Sequence, residues 1–240
     1  MPLPKFKRDA APPAFDRRGR RAIRLASTLA PVCEGYEVRF GRERWERPYD
    51  FFEDGYDGLR WRRTQASILQ DGRQVGALEF VEYETGMISH QEFFDAMDAE
   101  SFEMMRVASV LLSQWGSGLT DVLEYGRVLE VTWVWMEPAH PRTGVWVQVL
   151  DALIGRVERS VALITALAYP LEYENRLPAN APERAAFERR RRAMFRYYGR
   201  TLRLLPWPGA PGKAGWLWRP GRHVEAVLPR PRYRGGWFEK

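Results

Sequence analysis

The chain has 240 residues, 45% of them hydrophobic and 28% charged. That is the make-up of a globular protein long enough to bury a core, and it excludes a wholly disordered chain. No apolar run approaches the roughly 20 residues a membrane span needs. The N-terminus (MPLPKFKRDAAPPAF) is basic but lacks the apolar stretch of a secretory signal, so the cytoplasm is the expected compartment. The single cysteine, Cys33, excludes an intramolecular disulfide and a Cys-rich zinc site. His90, His140 and His223 lie far apart in sequence, which argues against a histidine-based metal site.

The net charge of +6 is unevenly placed: residues 1–24 carry +6, residues 25–182 carry −11, residues 183–203 carry +6 and residues 204–240 carry +5. An acidic body between basic ends suits a phosphate-bearing partner, nucleic acid or nucleotide cofactor. It equally suits basic ends that balance the body. For residues 1–24 the second reading is favoured, because Pro, Arg and Ala show no sustained period there; the segment reads as a flexible tail.

In chain order, Tyr36–Phe40 reads as a strand and residues 46–58 (ERPYDFFEDGYDG) as an acidic, aromatic loop. Strands Leu59–Leu69 and Gln74–Tyr83 flank Asp71-Gly72, a strong hairpin signal because glycine accepts positive φ. Val75, Ala77, Glu79, Val81 and Tyr83 share one face of the second strand. Residues 92–115 read as helical, with Met104, Ala108, Leu111 and Trp115 at helical spacing, Asp98 or Ser101 as a cap, and Gly116-Ser117-Gly118 as the stop. Residues 127–136 (RVLEVTWVWM) are apolar on both faces, as a central strand requires.

Pro138 and Pro141 break that strand. A helix then runs from Val145 to Arg159, with Trp146, Leu150, Leu153 and Val157 as its buried stripe. Val161–Ala168 is a short apolar strand that ends before Pro170. Residues 183–200 form a very basic helix with Phe187, Met194 and Tyr198 on one seam. Thr201–Leu205 and Gly215–Arg219 read as a last strand pair, and the chain from Pro220 as a basic, Pro/Arg-rich irregular tail. The fold class is therefore α/β: a mixed sheet flanked by helices, with a β-α-β crossover at 127–168 and one domain spanning 25–219.

The informative block is 128–205. A central strand opens through a glycine-containing turn into a helix, an arrangement whose free N–H groups and positive dipole end suit an anion. The turn reads Pro141, Arg142, Thr143, Gly144, Val145, Trp146. It is followed by Val149-Leu150-Asp151-Ala152-Leu153, and a later helix carries Tyr198 before Thr201-Leu202-Arg203. Pro170-Leu171-Glu172-Tyr173-Glu174 follows the next strand. This layout resembles the GNAT superfamily of acyl-CoA-dependent N-acetyltransferases. Their turn reads Q/R-x-x-G-x-G/A, their helix resembles the LLDAL run, and a tyrosine lies in a later helix. The element order matches over about 59–219, the motifs over 138–203. Pro141 departs from the Gln or Arg of that pattern and carries no N–H donor. Trp146 stands where the family has a small residue, so its side chain either enters the core or obstructs the cofactor.

The resemblance implies acetyl-CoA as co-substrate, with Arg142, Thr143, Gly144 and Val145 at the phosphates and a strand N–H near Met136 on the thioester carbonyl. Tyr198 would protonate the leaving thiolate, and Glu130 would act as general base through water, with Glu172 and Glu174 as alternatives. Each has a plainer reading: Tyr198 as a seam aromatic, Glu130 as a solvated or salt-bridged strand residue, Arg142 as a solvated loop arginine. Likewise, Arg189–Arg192 line a phosphate groove or are the solvated side of a helix. The ten tryptophans fit an aromatic core or a base-stacking surface.

The expected function is N-acyl transfer, acetyl transfer foremost, to a small-molecule or protein amine by direct transfer, and the acidic body suits a cationic acceptor. The alternative is a non-catalytic binding or assembly module on the same fold. A second copy of the chain is left open as a partner. Nucleic acid ranks last, since no RNP, KH or zinc-finger pattern is present.

Overall fold

The computed structural model describes residues 22–24, 35–40, 45–46, 58–86, 88–137, 145–157, 160–170, 173 and 178–235. The strands are β1 (Ala22–Arg24), β2 (Tyr36–Phe40), β3 (Trp45–Glu46), β4 (Leu59–Gln70), β5 (Arg73–Thr85), β6 (Arg127–Met136), β7 (Val161–Leu167), β8 (Leu205–Pro206) and β9 (Trp216–Pro220). The helices are α1 (His90–Glu100), α2 (Phe102–Trp115), α3 (Leu119–Glu124), α4 (Val145–Val157), α5 (Ala181–Thr201) and the short α6 (Ala210–Lys213). The nine strands make one sheet in the order β1-β2-β4-β5-β6-β7-β9-β8, with β3 also on β4. All described pairings are antiparallel except β6 with β7, which is parallel across the α4 crossover.

Local chemistry explains the boundaries. Asp71 and Gly72 both take positive φ, 51° and 76°, the twist that lets a two-residue turn join β4 to β5. Residues 92–115, read as one helix, are two. Ser89 caps α1 in a capping box: its Oγ accepts from the Glu92 N–H at 3.2 Å, and the Glu92 carboxylate accepts from the Ser89 N–H at 2.7 Å. Ser101 is extended (φ −163°), and its Oγ accepts from the Met104 N–H at 3.2 Å to start α2. Asn180 caps α5 in the same way, accepting from Glu183 at 2.9 Å.

Other expectations shift. Ala22–Arg24, the end of the expected tail, pair with β2, whose outer edge offers them main-chain partners. The acidic loop was expected to begin at residue 46, but Glu46 pairs as part of β3. Thr201 ends α5 rather than starting a strand, and Arg203 takes φ 56° before β8 begins at Leu205. The segment after Pro220 is irregular but held: Arg232 and Arg234 donate main-chain N–H bonds to Gln114 and Ser113 of α2.

Two cores lie on opposite faces of the sheet. On one, α1, α2 and α3 cover Leu59, Trp61, Val81, Tyr83, Val128 and Leu163. On the other, α4 and α5 cover Ile68, Leu78, Phe80, Leu129, Val131 and Ile164. Six tryptophans, Trp61, Trp115, Trp146, Trp207, Trp216 and Trp218, are buried, so packing accounts for these. Trp207 stacks on Trp218 at 5.2 Å and meets Trp115 edge-on at 5.5 Å, and its Nε1–H donates to Thr165 Oγ1 at 3.2 Å. Trp207→Ala removes a buried ring and a hydrogen bond together. We expect a loss of about 3–5 kcal/mol in urea unfolding, whereas a loss under ~1 kcal/mol would contradict the packing described for this ring.

Candidate functional site

The site is built on β6. Along β5 its register runs from Tyr83↔Val128 to Gly76↔Met136, with a shift between Glu79 and Phe80 that leaves Thr132 as an extra residue, a β-bulge. Along β7 the described ladder runs only from Arg127↔Val161 to Val131↔Ala166. Beyond the bulge, β6 follows β5 while β7 stays with β9, as in the pair Leu167↔Trp216. The ladder therefore ends at Val131↔Ala166, and β6 runs on to Met136 past β7, whose strand ends at Leu167. The Glu137 N–H donates to Val75 O at 2.8 Å. Successive strand N–H groups point to opposite sides, so the Val134 and Met136 N–H groups face away from β5.

Beside that stretch of β6, on the face covered by α1–α3, lies a polar cluster. Glu130 and Tyr83 sit diagonally across β6 and β5, and the Tyr83 hydroxyl donates to Glu130 Oε2 at 2.7 Å. Glu79 is 3% exposed. Its carboxylate accepts from Arg63 at 3.3 Å and from Gln65, and the Thr132 hydroxyl lies 3.1 Å from Oε1 and 2.9 Å from the Glu79 carbonyl. The bulge thus turns Thr132 onto Glu79.

Burial pushes the Glu130 carboxyl up to about 7. The Tyr83 hydrogen bond and the charges of Arg106 and Arg63 oppose that rise, while Glu79 adds to it. Tyr83 is itself pushed well above its ordinary value, first by burial and then by Glu130, so it stays a donor. Glu130 is buried, and among the described residues it forms no salt bridge. The arrangement is that of a carboxyl that exchanges a proton near neutrality.

Tyr198 is elsewhere. It lies on α5 in the core of the opposite face, 8% exposed and edge-on to Trp146 at 5.9 Å. Burial, followed by Tyr197, pushes its phenol up to about 12. The structure does not bring Tyr198 to Glu130; the sheet stands between them. Trp146 is 6% exposed and packs on both Tyr197 and Tyr198, so its side chain enters the core. Val145 is fully buried. Met136 is half-buried, and its sulfur occupies the space that a Cβ on Gly76 would fill. Pro141, Arg142, Thr143, Gly144, Glu172, Glu174 and Cys33 lie outside the described residues. Among the described residues no group of three His, Cys, Asp or Glu could hold a metal ion, and no helix is long and apolar enough to cross a membrane.

Sequence reasoning missed Glu79, Tyr83, Thr132 and their arginine and glutamine partners. The available signal was Glu79 itself, an acid at an alternate position on an otherwise apolar strand face.

No family model matches the sequence, and no curated protein matches it. Among solved structures, the chain is similar to a mutant of agmatine N-acetyltransferase in its apo form (10% identity, TM-score 0.35, 65% of this chain and 75% of that one). It is also similar to AtaT complexed with acetyl-methionyl-tRNAfMet (8% identity, TM-score 0.36, 78% of this chain and 100% of that one). A third is a Drosophila melanogaster polyamine N-acetyltransferase that forms N-acetylagmatine (10% identity, TM-score 0.33, 65% of this chain and 74% of that one). At such scores the likeness assigns no residue a role.

The Glu130 environment has a thermodynamic signature. Its carboxyl binds a proton more tightly folded, at about 7, than at the ordinary value of 4.5. The stability linked to that proton is full below the ordinary value and is lost as pH rises through 7. Relative to Glu130→Gln, the wild-type protein should lose up to about 3 kcal/mol across this window. Urea unfolding of both proteins across a pH series reads it, and parallel curves would refute the burial-driven shift.

Proposed function

We propose that the protein is an acyl-CoA-dependent N-acyltransferase, transferring an acetyl group directly to an amine. The observation that supports this most is the run of β6 past the end of its ladder with β7, beside a buried carboxyl that titrates near neutrality. There the N–H groups of Val134 and Met136 point away from β5. Burial of Trp146 in the α4–α5 seam keeps that ring out of the turn, which favours a fit to acetyl-CoA. When bound there, acetyl-CoA supplies the activated acyl group.

In this reading the main-chain N–H groups of Arg142, Thr143, Gly144 and Val145, leading into α4, hold the pyrophosphate. The Met136 N–H polarises the acyl oxygen as negative charge develops on it. Glu130 takes one proton of the incoming ammonium, directly or through water, so that the neutral amine's lone pair forms the new C–N bond, and the nitrogen's second proton leaves to water as the amide forms. Tyr198 keeps its proton at neutral pH and would give it to sulfur as the C–S bond breaks, which requires the thioester to reach the α4–α5 face of the sheet. Solvent then restores both groups. Glu79 beside Glu130 favours a cationic acceptor.

The competing reading, a non-catalytic binding or assembly module, draws on Pro141, which removes one N–H from the turn. Calorimetric titration with acetyl-CoA separates the two. We expect binding that Gly144→Glu abolishes and Tyr198→Phe leaves intact. In turnover, Glu130→Gln should lower kcat by about 10²–10⁴, and Tyr198→Phe should lower kcat with little change in Kd. Absence of heat and of thermal stabilisation at millimolar acetyl-CoA would leave the module reading.

A further inference from the structure

Helix α5 carries a feature that acyl transfer does not use. Arg189, Arg192, Arg196 and Arg200 follow one another at steps of three and four residues, so they share one helix face. All four are exposed. At 1.5 Å per residue they span roughly 16 Å. Among the described residues no carboxylate reaches any of them: the ion pair within the helix joins Arg191 to Glu188, and Arg192 donates to the Glu188 main-chain oxygen at 3.2 Å. Arg203, also exposed, continues the basic run just beyond the helix. Four like charges along one exposed face, with no carboxylate among the described residues to pair them, favour an anionic partner.

The chemistry of the row selects the partner. Guanidinium forks match phosphate oxygens in pairs. A protein docking site needs a desolvated apolar centre, but between these arginines the helix exposes only the small Ala193 and, at the flank, Tyr197, 39% exposed. A row of point anions with an aromatic face beside it is what a nucleic-acid strand presents to a protein, and one exposed ring suits an unstacked base. We propose that this face of α5 binds the phosphodiester backbone of single-stranded RNA, without reading its sequence. The proposal is independent of acyl transfer.

The test is fluorescence anisotropy of the full chain with a labelled, mixed-sequence RNA of about 20 nucleotides. For four contacts the logarithm of affinity should fall against the logarithm of salt with a slope of about −3, a loss of about fifty-fold between roughly 50 and 200 mM. The variant R189Q/R192Q/R196Q/R200Q should keep its circular dichroism and melting temperature, because these side chains are exposed, yet lose most of the affinity and of the slope. R230Q/R232Q/R234Q, which removes exposed charge from the C-terminal segment, should bind within about threefold of wild type. Any of four results would overturn the proposal: no RNA binding, equal loss in both variants, tighter binding to a duplex, or tighter binding to an acidic peptide.

Discussion

Strand β6 is paired along nearly its whole length with β5 but over only its first half with β7. Everything that distinguishes the site follows from that inequality. The bulge at Thr132 adds one residue to β6 without adding one to β5, so the strand bends as its twist increases. β7 ends at Leu167, paired on its far side with β9 from Leu163↔Pro220 to Leu167↔Trp216, and Trp218 of β9 stacks on Trp207. Beyond Val131 the second edge of β6 has no β7 pairing, a gap in the ladder. The bulge also aims the Thr132 hydroxyl at Glu79, so it ties down a buried carboxylate beside that edge.

Buried acids on the two faces of this sheet have opposite fates. Glu82, on the α4 face, is fully buried and bonds Arg62 at 2.7 Å, with Arg127 at 3.5 Å. Arg60, Arg62 and Arg127 in turn lie over the Trp45 ring at about 5 Å. For neighbouring Glu84, burial pushes the carboxyl up, but hydrogen bonds and charge from Arg60 and Arg127 outweigh it and hold the group below its ordinary value. Glu130 has a phenol where Glu82 has guanidinium groups, and its burial outweighs the opposing Tyr83 hydrogen bond and the charges of Arg106 and Arg63. A charged acid locked between arginines holds strands together. An acid that neutral water can protonate or deprotonate is of use to chemistry. The cluster around Glu130 is the second kind.

How much of this was legible depended on range. The Asp71-Gly72 hairpin, the two apolar faces of β6 and the parallel α4 crossover follow from patterns a few residues long, and they stand in the structure. Helix α3 did not show, because LTDVLE is a turn and a half whose Leu119, Val122 and Leu123 gain their stability from packing against α2 and β5, not from length. Glu130 was visible as an acid in an apolar strand, but its partner Tyr83 is 47 residues away, and nothing local announces the pairing. The bulge was equally hidden, since TWVWM alternates too weakly to show one inserted residue. Local pattern placed the hairpin and the crossover but missed the break at Ser101 and the helical Thr201, and what register created had to be seen.

Helix α5 shows the two kinds of information acting together. Phe187, Met194 and Tyr198 fall within a narrow sector of the helical wheel, at 100° per residue. Tyr198 is buried against Trp146, and Phe187 meets Tyr169 and Tyr173 edge-on at 5.3 and 5.2 Å. These contacts fix the rotation of the helix about its axis. Arg196 and Arg200 lie about 160° from Tyr198 on that wheel, and Arg189 stands in the same relation to Phe187. The aromatic seam therefore decides where the arginine row points: away from the sheet, along the helix, with its charges uncompensated. A helix held only by its charge pattern could turn to bring the row over the acidic body. Seating three seam side chains at once removes that freedom, so the basic face is a consequence of the packing and is presented to whatever lies outside.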